Sequence, residues 1–129
     1  MDIIEARDGR GITLSINRSL DRTNAGDLDK ALKLHFGDGK DDPIWLDVAD
    51  VQSIDSAGLT LILRWHRHAL SKNRRFAVVK TNDYHRKLLE ITRLDFEIVV
   101  FDEPGGTRVR TFASQSQDRG ILDELEIVL

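Results

Sequence analysis

The fold is decided by the stretch Ile44-Trp45-Leu46-Asp47-Val48-Ala49-Asp50-Val51-Gln52-Ser53-Ile54-Asp55-Ser56-Ala57-Gly58-Leu59. Its opening run, Ile44 to Val48, is apolar except for Asp47 and follows a polar loop ending in Pro43, the pattern of a buried central strand. A short loop then leads into Ile54-Asp55-Ser56-Ala57-Gly58-Leu59, and helical spacing runs from Ala57 to Ser71. Ser56 falls at or next to the N-cap of that helix, where a serine hydroxyl can satisfy a free N–H. Asp55 brings negative charge to the positive end of the helix dipole, and Gly58 lets other backbone pass close by.

Upstream, Ile3 and Ile4 are separated from Ile12, Leu14 and Ile16 by Asp8-Gly9-Arg10-Gly11, and the second group alternates cleanly with Thr13, Ser15 and Asn17. This predicts a hairpin whose second strand is half-buried. Leu20, Ala25, Leu28, Ala31, Leu32 and Phe36 have helical spacing, with Thr23 or Asn24 as the expected cap. Downstream, a strand is expected at Phe76 to Val79, then a helix capped by Asp83 and running to about Thr92 on Leu88, Leu89 and Ile91. A last strand is expected over Phe96 to Phe101, stopped by Asp102-Glu103-Pro104-Gly105-Gly106. The order is β-β-α-β-α-β-α-β, and strands that alternate with helices pair in parallel because each needs a crossover. The expected fold is therefore α/β, a mixed but mostly parallel sheet of about five strands with helices.

With 129 residues, the chain fits one domain, expected over residues 1–103, and a C-terminal extension over 104–129. Gln115 to Asp118 look like a loop, but Ile121, Leu122, Leu125, Ile127, Val128 and Leu129 are too apolar for a free tail. That end is expected to dock on the domain or on a second copy, which would make a homodimer. The net charge of −3 argues against direct nucleic-acid binding, which needs a concentrated cationic field. There is no cysteine, which excludes disulfides, thiolate catalysis and cysteine-based metal sites. No secretory signal and no long apolar run is present, so a cytoplasmic protein without membrane insertion is expected.

The helix after Ser56 places Leu59, Ile62, Leu63, His66 and Leu70 on one face, with Leu61 and Trp65 together on its flank. Trp65 beside Arg64 and His68 reads either as a binding anchor or as the edge of the core. Arg64, Arg67, Lys72, Arg74 and Arg75 form a basic run that suits an acidic partner or simply a solvated helix end. His66 and His68 point in different directions and make no metal pair, and no metal or other cofactor is expected. Gly37-Asp38-Gly39-Lys40 lacks the spacing of a phosphate loop, and Asp47, Asp50 and Asp55 are explained by turn and cap roles. No enzyme activity is expected.

The stretch from Ile44 to Leu59 closely resembles the signature of STAS domains, the fold of anti-sigma-factor antagonists, in which a strand, a variable loop and an Asp-Ser-small-Gly-Leu element open the second helix. Leu20-Asp21, followed by Asn24 to Leu32, resembles the family's first strand-to-helix junction, and Lys87-Leu88-Leu89-Glu90-Ile91-Thr92-Arg93-Leu94 its third helix. The similarity spans roughly residues 2 to 102 in register with the element order above. It implies a protein-binding switch in which Ser56 is the phospho-acceptor, Ala57 leaving no second hydroxyl. Asp21, a turn or capping aspartate by chemistry alone, would help shape that site.

By the same resemblance, the unmodified chain would bind a GHKL-type serine kinase that doubles as an anti-sigma factor, and phosphorylation of Ser56 would release it. A PPM-type phosphatase would reset the switch. The partner surface would comprise Asp21, Asp55, Ser56, Ala57, Gly58, Leu61, Arg64, Trp65 and His68. The alternative is a non-phosphorylated STAS subunit that docks on the nucleotide-binding subunit of a transporter.

Overall fold

The computed structural model describes residues 1–110, and the apolar C-terminal segment singled out above lies outside the described residues. Strands β1 (Ile3–Asp8) and β2 (Gly11–Leu20) form the opening hairpin, and α1 (Ala25–Phe36) leads to β3 (Ile44–Ile54). Then follow α2 (Ser56–Ser71), β4 (Phe76–Val79), α3 (Asp83–Ile91), a short 3-10 turn (Leu94–Phe96) and β5 (Val100–Phe101). The sheet runs β1-β2-β3-β4-β5, antiparallel between β1 and β2 and parallel across the rest.

Strand parity divides the core. Ile12, Leu14 and Ile16 of β2, Ile44, Leu46 and Val48 of β3, and Phe76 and Val78 of β4 face one side. Leu28 and Leu32 of α1, Leu59, Ile62 and Ala69 of α2 and Leu89 of α3 join that same cluster. The opposite face carries a smaller cluster of Trp45, Ala77 and Val79, against which Val99 and Phe101 pack. Trp45 is anchored there by its indole N–H, which donates to the Arg10 carbonyl at 2.8 Å. Burial from both sides is why Ile44 to Val48 reads as a continuous apolar run.

Several elements differ from the sequence expectation. β3 continues through Ile54 instead of ending near Val48, pairing Asn17 with Asp50 and Leu20 with Ile54 across two register shifts. Beyond Asp47 it has left β4 and pairs with β2 alone, so Asp50, Gln52 and Ser53 are exposed and carry no apolar signal. The last strand covers only Val100–Phe101 rather than Phe96 to Phe101. Arg93, at φ 64°, breaks the chain direction, and Leu94–Phe96 winds into the 3-10 turn. The cap of α3 is Asn82, not Asp83: its side chain accepts the His85 amide at 2.9 Å, while the His85 ring accepts the Asn82 amide.

At α1, Asn24 holds the cap position without capping. Its carboxamide instead accepts from the Asp21 amide and donates to the Ser19 carbonyl. Leu70 is 63% exposed, because the buried arc of α2 runs through Leu59, Ile62, His66 and Ala69 and leaves Leu70 one residue off it. After β5 the chain turns at Gly105 and returns antiparallel, with the Val109 amide bonded to the Val100 carbonyl at 2.8 Å.

Candidate functional site

The ends of β2 and β3 lie side by side in the parallel pair, so the β2–α1 and β3–α2 junctions meet. Asp21, Arg22 and Thr23 from the first face Asp55, Ser56 and Ala57 from the second across an open concavity of about 320 Å³. It continues into a groove of about 410 Å³ between the two helices, walled by Ala25, Gly26 and Asp29 of α1 and by Thr60, Leu61 and Arg64 of α2. Arg22, Ser56 and Ala57 line both.

Asp55 organises this meeting point. One carboxylate oxygen accepts the Gly58 amide at 3.0 Å, making Asp55 the N-cap of α2, and the other accepts the Arg22 amide at 3.1 Å. Its own amide donates to the Leu20 carbonyl. The helix therefore starts at Ser56 with its cap already supplied, and among the described residues the exposed Ser56 hydroxyl makes no hydrogen bond. Gly58 is buried where a Cβ would lie 2.6 Å from the Leu20 carbonyl oxygen and 2.9 Å from the Ile54 side chain. Only glycine lets the two junctions approach this closely.

Asp21 is a turn aspartate that also lines the site. Its carboxylate accepts from the Thr23 hydroxyl at 2.5 Å, the Thr23 amide at 2.9 Å and the Ser19 hydroxyl at 3.1 Å. These bonds, the Thr23 hydroxyl foremost, hold its carboxyl below the usual carboxylate range. From the other side, the Tyr84 hydroxyl accepts the Ile54 amide at 3.2 Å, tying α3 to the residue that precedes Asp55.

Of the residues expected on the partner surface, Asp55 and Ser56 are exposed, Asp21 and Ala57 half-buried, and Arg64 exposed further along the groove. Leu61 and Trp65 are only 3% and 8% exposed. The Trp65 ring stacks on Phe36 at 5.0 Å, and His68 meets both rings edge-on. Its indole N–H donates to Asp29 at 2.8 Å, so Trp65 packs at the edge of the core. Burial raises the Asp29 carboxyl, but the bonds from Trp65, Arg64 and Lys33 outweigh it and leave it below its ordinary value. Asp47 stands apart from the site, nearly buried and bonded to Ser15 and Lys80.

Arg22, Thr60 and Tyr84 line or brace the site without having been singled out in the sequence. Arg22 was within reach, since it adjoins Asp21, whereas the role of Tyr84 depends on where α3 packs. Among the described residues, no cluster of His, Asp or Glu could hold a metal ion, and no helix is long and apolar enough to cross a membrane.

A family model described as "Mlab, STAS domain" matches residues 3–100. The chain belongs to the STAS domain family. Among solved structures, a candidate anti-sigma factor antagonist from Thermotoga maritima shares the fold at a TM-score of 0.70 and 24% identity, over 90% of this chain and 92% of that one. An anti-sigma factor antagonist from Mycobacterium paratuberculosis aligns at 0.68 and 20% identity, over 79% and 86%. The Bacillus cell fate determinant SpoIIAA in its phosphorylated form aligns at 0.61 and 16% identity, over 79% and 93%. No curated protein matches the chain.

Proposed function

We propose that this chain is an anti-sigma-factor antagonist whose affinity for its partner is switched off by phosphorylation of Ser56. In this reading the partner is a GHKL-type serine kinase that doubles as an anti-sigma factor, and a PPM-type phosphatase restores the bound state. The observation that carries it is the free Ser56 hydroxyl, exposed at the start of α2 while Asp55 does the capping. A phosphate there adds about 1.5 to 2 negative charges at a helix N-terminus, so it need not unfold the domain. It lies beside Asp55 and Asp21 in one concavity, and a partner surface packed against the bare hydroxyl is displaced by the bulk and added charge of the phosphate. The contact surface is then Asp21, Asp55, Ser56 and Ala57 with Arg64 along the groove, while Gly58, Leu61, Trp65 and His68 shape it from beneath or beside.

The second reading, a STAS subunit that docks on a transporter, draws support from a sulfate transporter family protein of Wolinella succinogenes that shares the fold at a TM-score of 0.55. A pull-down from host lysate with wild type and Ser56→Asp separates the two. A GHKL-type kinase retained by wild type and lost by the variant supports the switch. Equal retention of a transporter subunit by both proteins overturns it in favour of the second reading.

A further inference from the structure

At the opposite end of the sheet from Ser56, a cleft of about 460 Å³ opens between the last turn of α2 and the starts of β4 and β5. Its apolar lining includes the exposed Leu70, with Phe76 and Val99. Arg75 and Arg108 supply its charge, and neither forms an ion pair among the described residues. The nearby carboxylate of Glu97 is already taken by Arg67, and the Arg74 guanidinium turns away onto the His35 and Asp42 carbonyls. Burial and the charge of Arg110 hold Arg108 below its ordinary value, so an incoming carboxylate would relieve an unfavourable cation.

The chain itself runs to this cleft. Arg108 pairs with Phe101 and Val109 with Val100, antiparallel to β5, so residue 110 heads toward the beginning of that strand, where Val99 lines the opening. Beyond it, residues 121–129 read Ile-Leu-Asp-Glu-Leu-Glu-Ile-Val-Leu, acidic and apolar with no basic residue. The intervening residues 111–120 can span up to about 33 Å when extended, ample for a return to a cleft at their root.

We propose that residues 121–129 of this same chain dock in the cleft, their apolar side chains over Leu70, Phe76 and Val99 and their carboxylates toward Arg75 and Arg108. The complementarity is of both kinds at once: an apolar floor, with cations that form no ion pair among the described residues, matches a segment whose sequence is both apolar and acidic. Attachment at the edge of the cleft favours the chain's own segment over a second copy, because a short tether gives an effective concentration on the order of millimolar. The docked segment covers the one large aliphatic side chain of α2 that the domain leaves in water.

The chain has no cysteine, so Lys72→Cys places a single nitroxide label beside the cleft in the full-length protein. The expected result is loss of the amide signals of residues 121–129 by paramagnetic broadening. The signals should return at about 1 M salt, where the screening length falls to about 3 Å. They should also return in the Leu122→Ser/Leu125→Ser variant, whose remaining spectrum reports that the domain is folded. Amides of 121–129 untouched by the label overturn the proposal, as does broadening from a label at Thr60→Cys in the other groove. Broadening of isotope-enriched, nitroxide-free chains when they are mixed with nitroxide-labelled chains at natural isotope abundance also overturns it, assigning the cleft to a second copy.

Discussion

Asp55 accepts the amide of Arg22 at 3.1 Å with one carboxylate oxygen while the other caps α2 through Gly58. That bond closes the two strand-to-helix junctions against each other, and everything proposed for the site depends on it. With the cap assigned to Asp55, the neighbouring serine is structurally idle, and an idle hydroxyl on an exposed helix start is available for chemistry.

The division of labour between Asp55 and Ser56 has a direct thermodynamic signature. Asp55→Ala removes the acceptor for both amides and should cost about 1 to 2 kcal/mol of unfolding free energy. Ser56→Ala should shift it by less than about 0.5 kcal/mol, the range of an ordinary surface substitution. Urea unfolding of both variants checks the order, and a larger loss for Ser56→Ala would return the cap to the serine.

Gly58→Ala drives a Cβ to 2.6 Å from the Leu20 carbonyl oxygen, a backbone atom that cannot swing aside. The expected cost is about 1 to 3 kcal/mol, as for other overpacked sites. Amide shifts at Leu20, Arg22 and Asp55 should move together, since the junctions can only separate as a unit.

Much of this was legible in the sequence, and the reasons for success and failure are physical. Ile44 to Val48 announced a doubly buried strand because β2 and β4 flank it and both faces are covered. The extension of β3 to Ile54 was hidden because an edge segment paired on one side keeps polar residues such as Asp50 and Gln52. Phe96 to Val99 has a strand's composition, but Arg93 at positive φ and the Arg67–Glu97 pair set its path, and neither leaves a local signal. At the site, the part of Asp21 beside Ser56 came from the family resemblance, and the parallel pairing of β2 with β3 is what brings the two junctions together. The choice of Asp55 over Ser56 as cap was not legible, because both residue types cap well.

Trp65→Phe tests whether the tryptophan acts through its ring or its N–H. The stack on Phe36 survives, but the 2.8 Å bond to Asp29 is lost, at a cost of about 1 to 2 kcal/mol. The folded Asp29 carboxyl lies below its unfolded value, so its contribution is present above the unfolded pKa and lost as pH falls through the folded one. Removing the Trp65 bond should raise the Asp29 pKa in a carboxyl NMR titration and flatten the acid limb of stability.

His85 should add a second, milder acid sensitivity. Its Nδ1 accepts the Asn82 amide at 3.1 Å, leaving Nε2–H to donate to the Val51 carbonyl at 2.7 Å, so the fold holds the neutral ring. Burial depresses its pKa, with a smaller opposing pull from the Val51 carbonyl. A folded pKa below the unfolded value of about 6.5 means that stability is full above that pH and declines as pH falls toward the folded pKa. Urea unfolding midpoints across this window should fall for wild type and less steeply for His85→Gln.

The most direct test of the central claim is phosphorylation itself. The purified chain is incubated with Mg-ATP and the GHKL-type kinase recovered on wild type, and the phosphate is located by fragment-ion mass spectrometry. The account predicts a single phosphate on Ser56, none on Ser56→Ala, and loss of kinase binding by the modified chain. A chain left unmodified, a phosphate elsewhere with Ser56 free, or a phosphorylated Ser56 that still binds the kinase would contradict it.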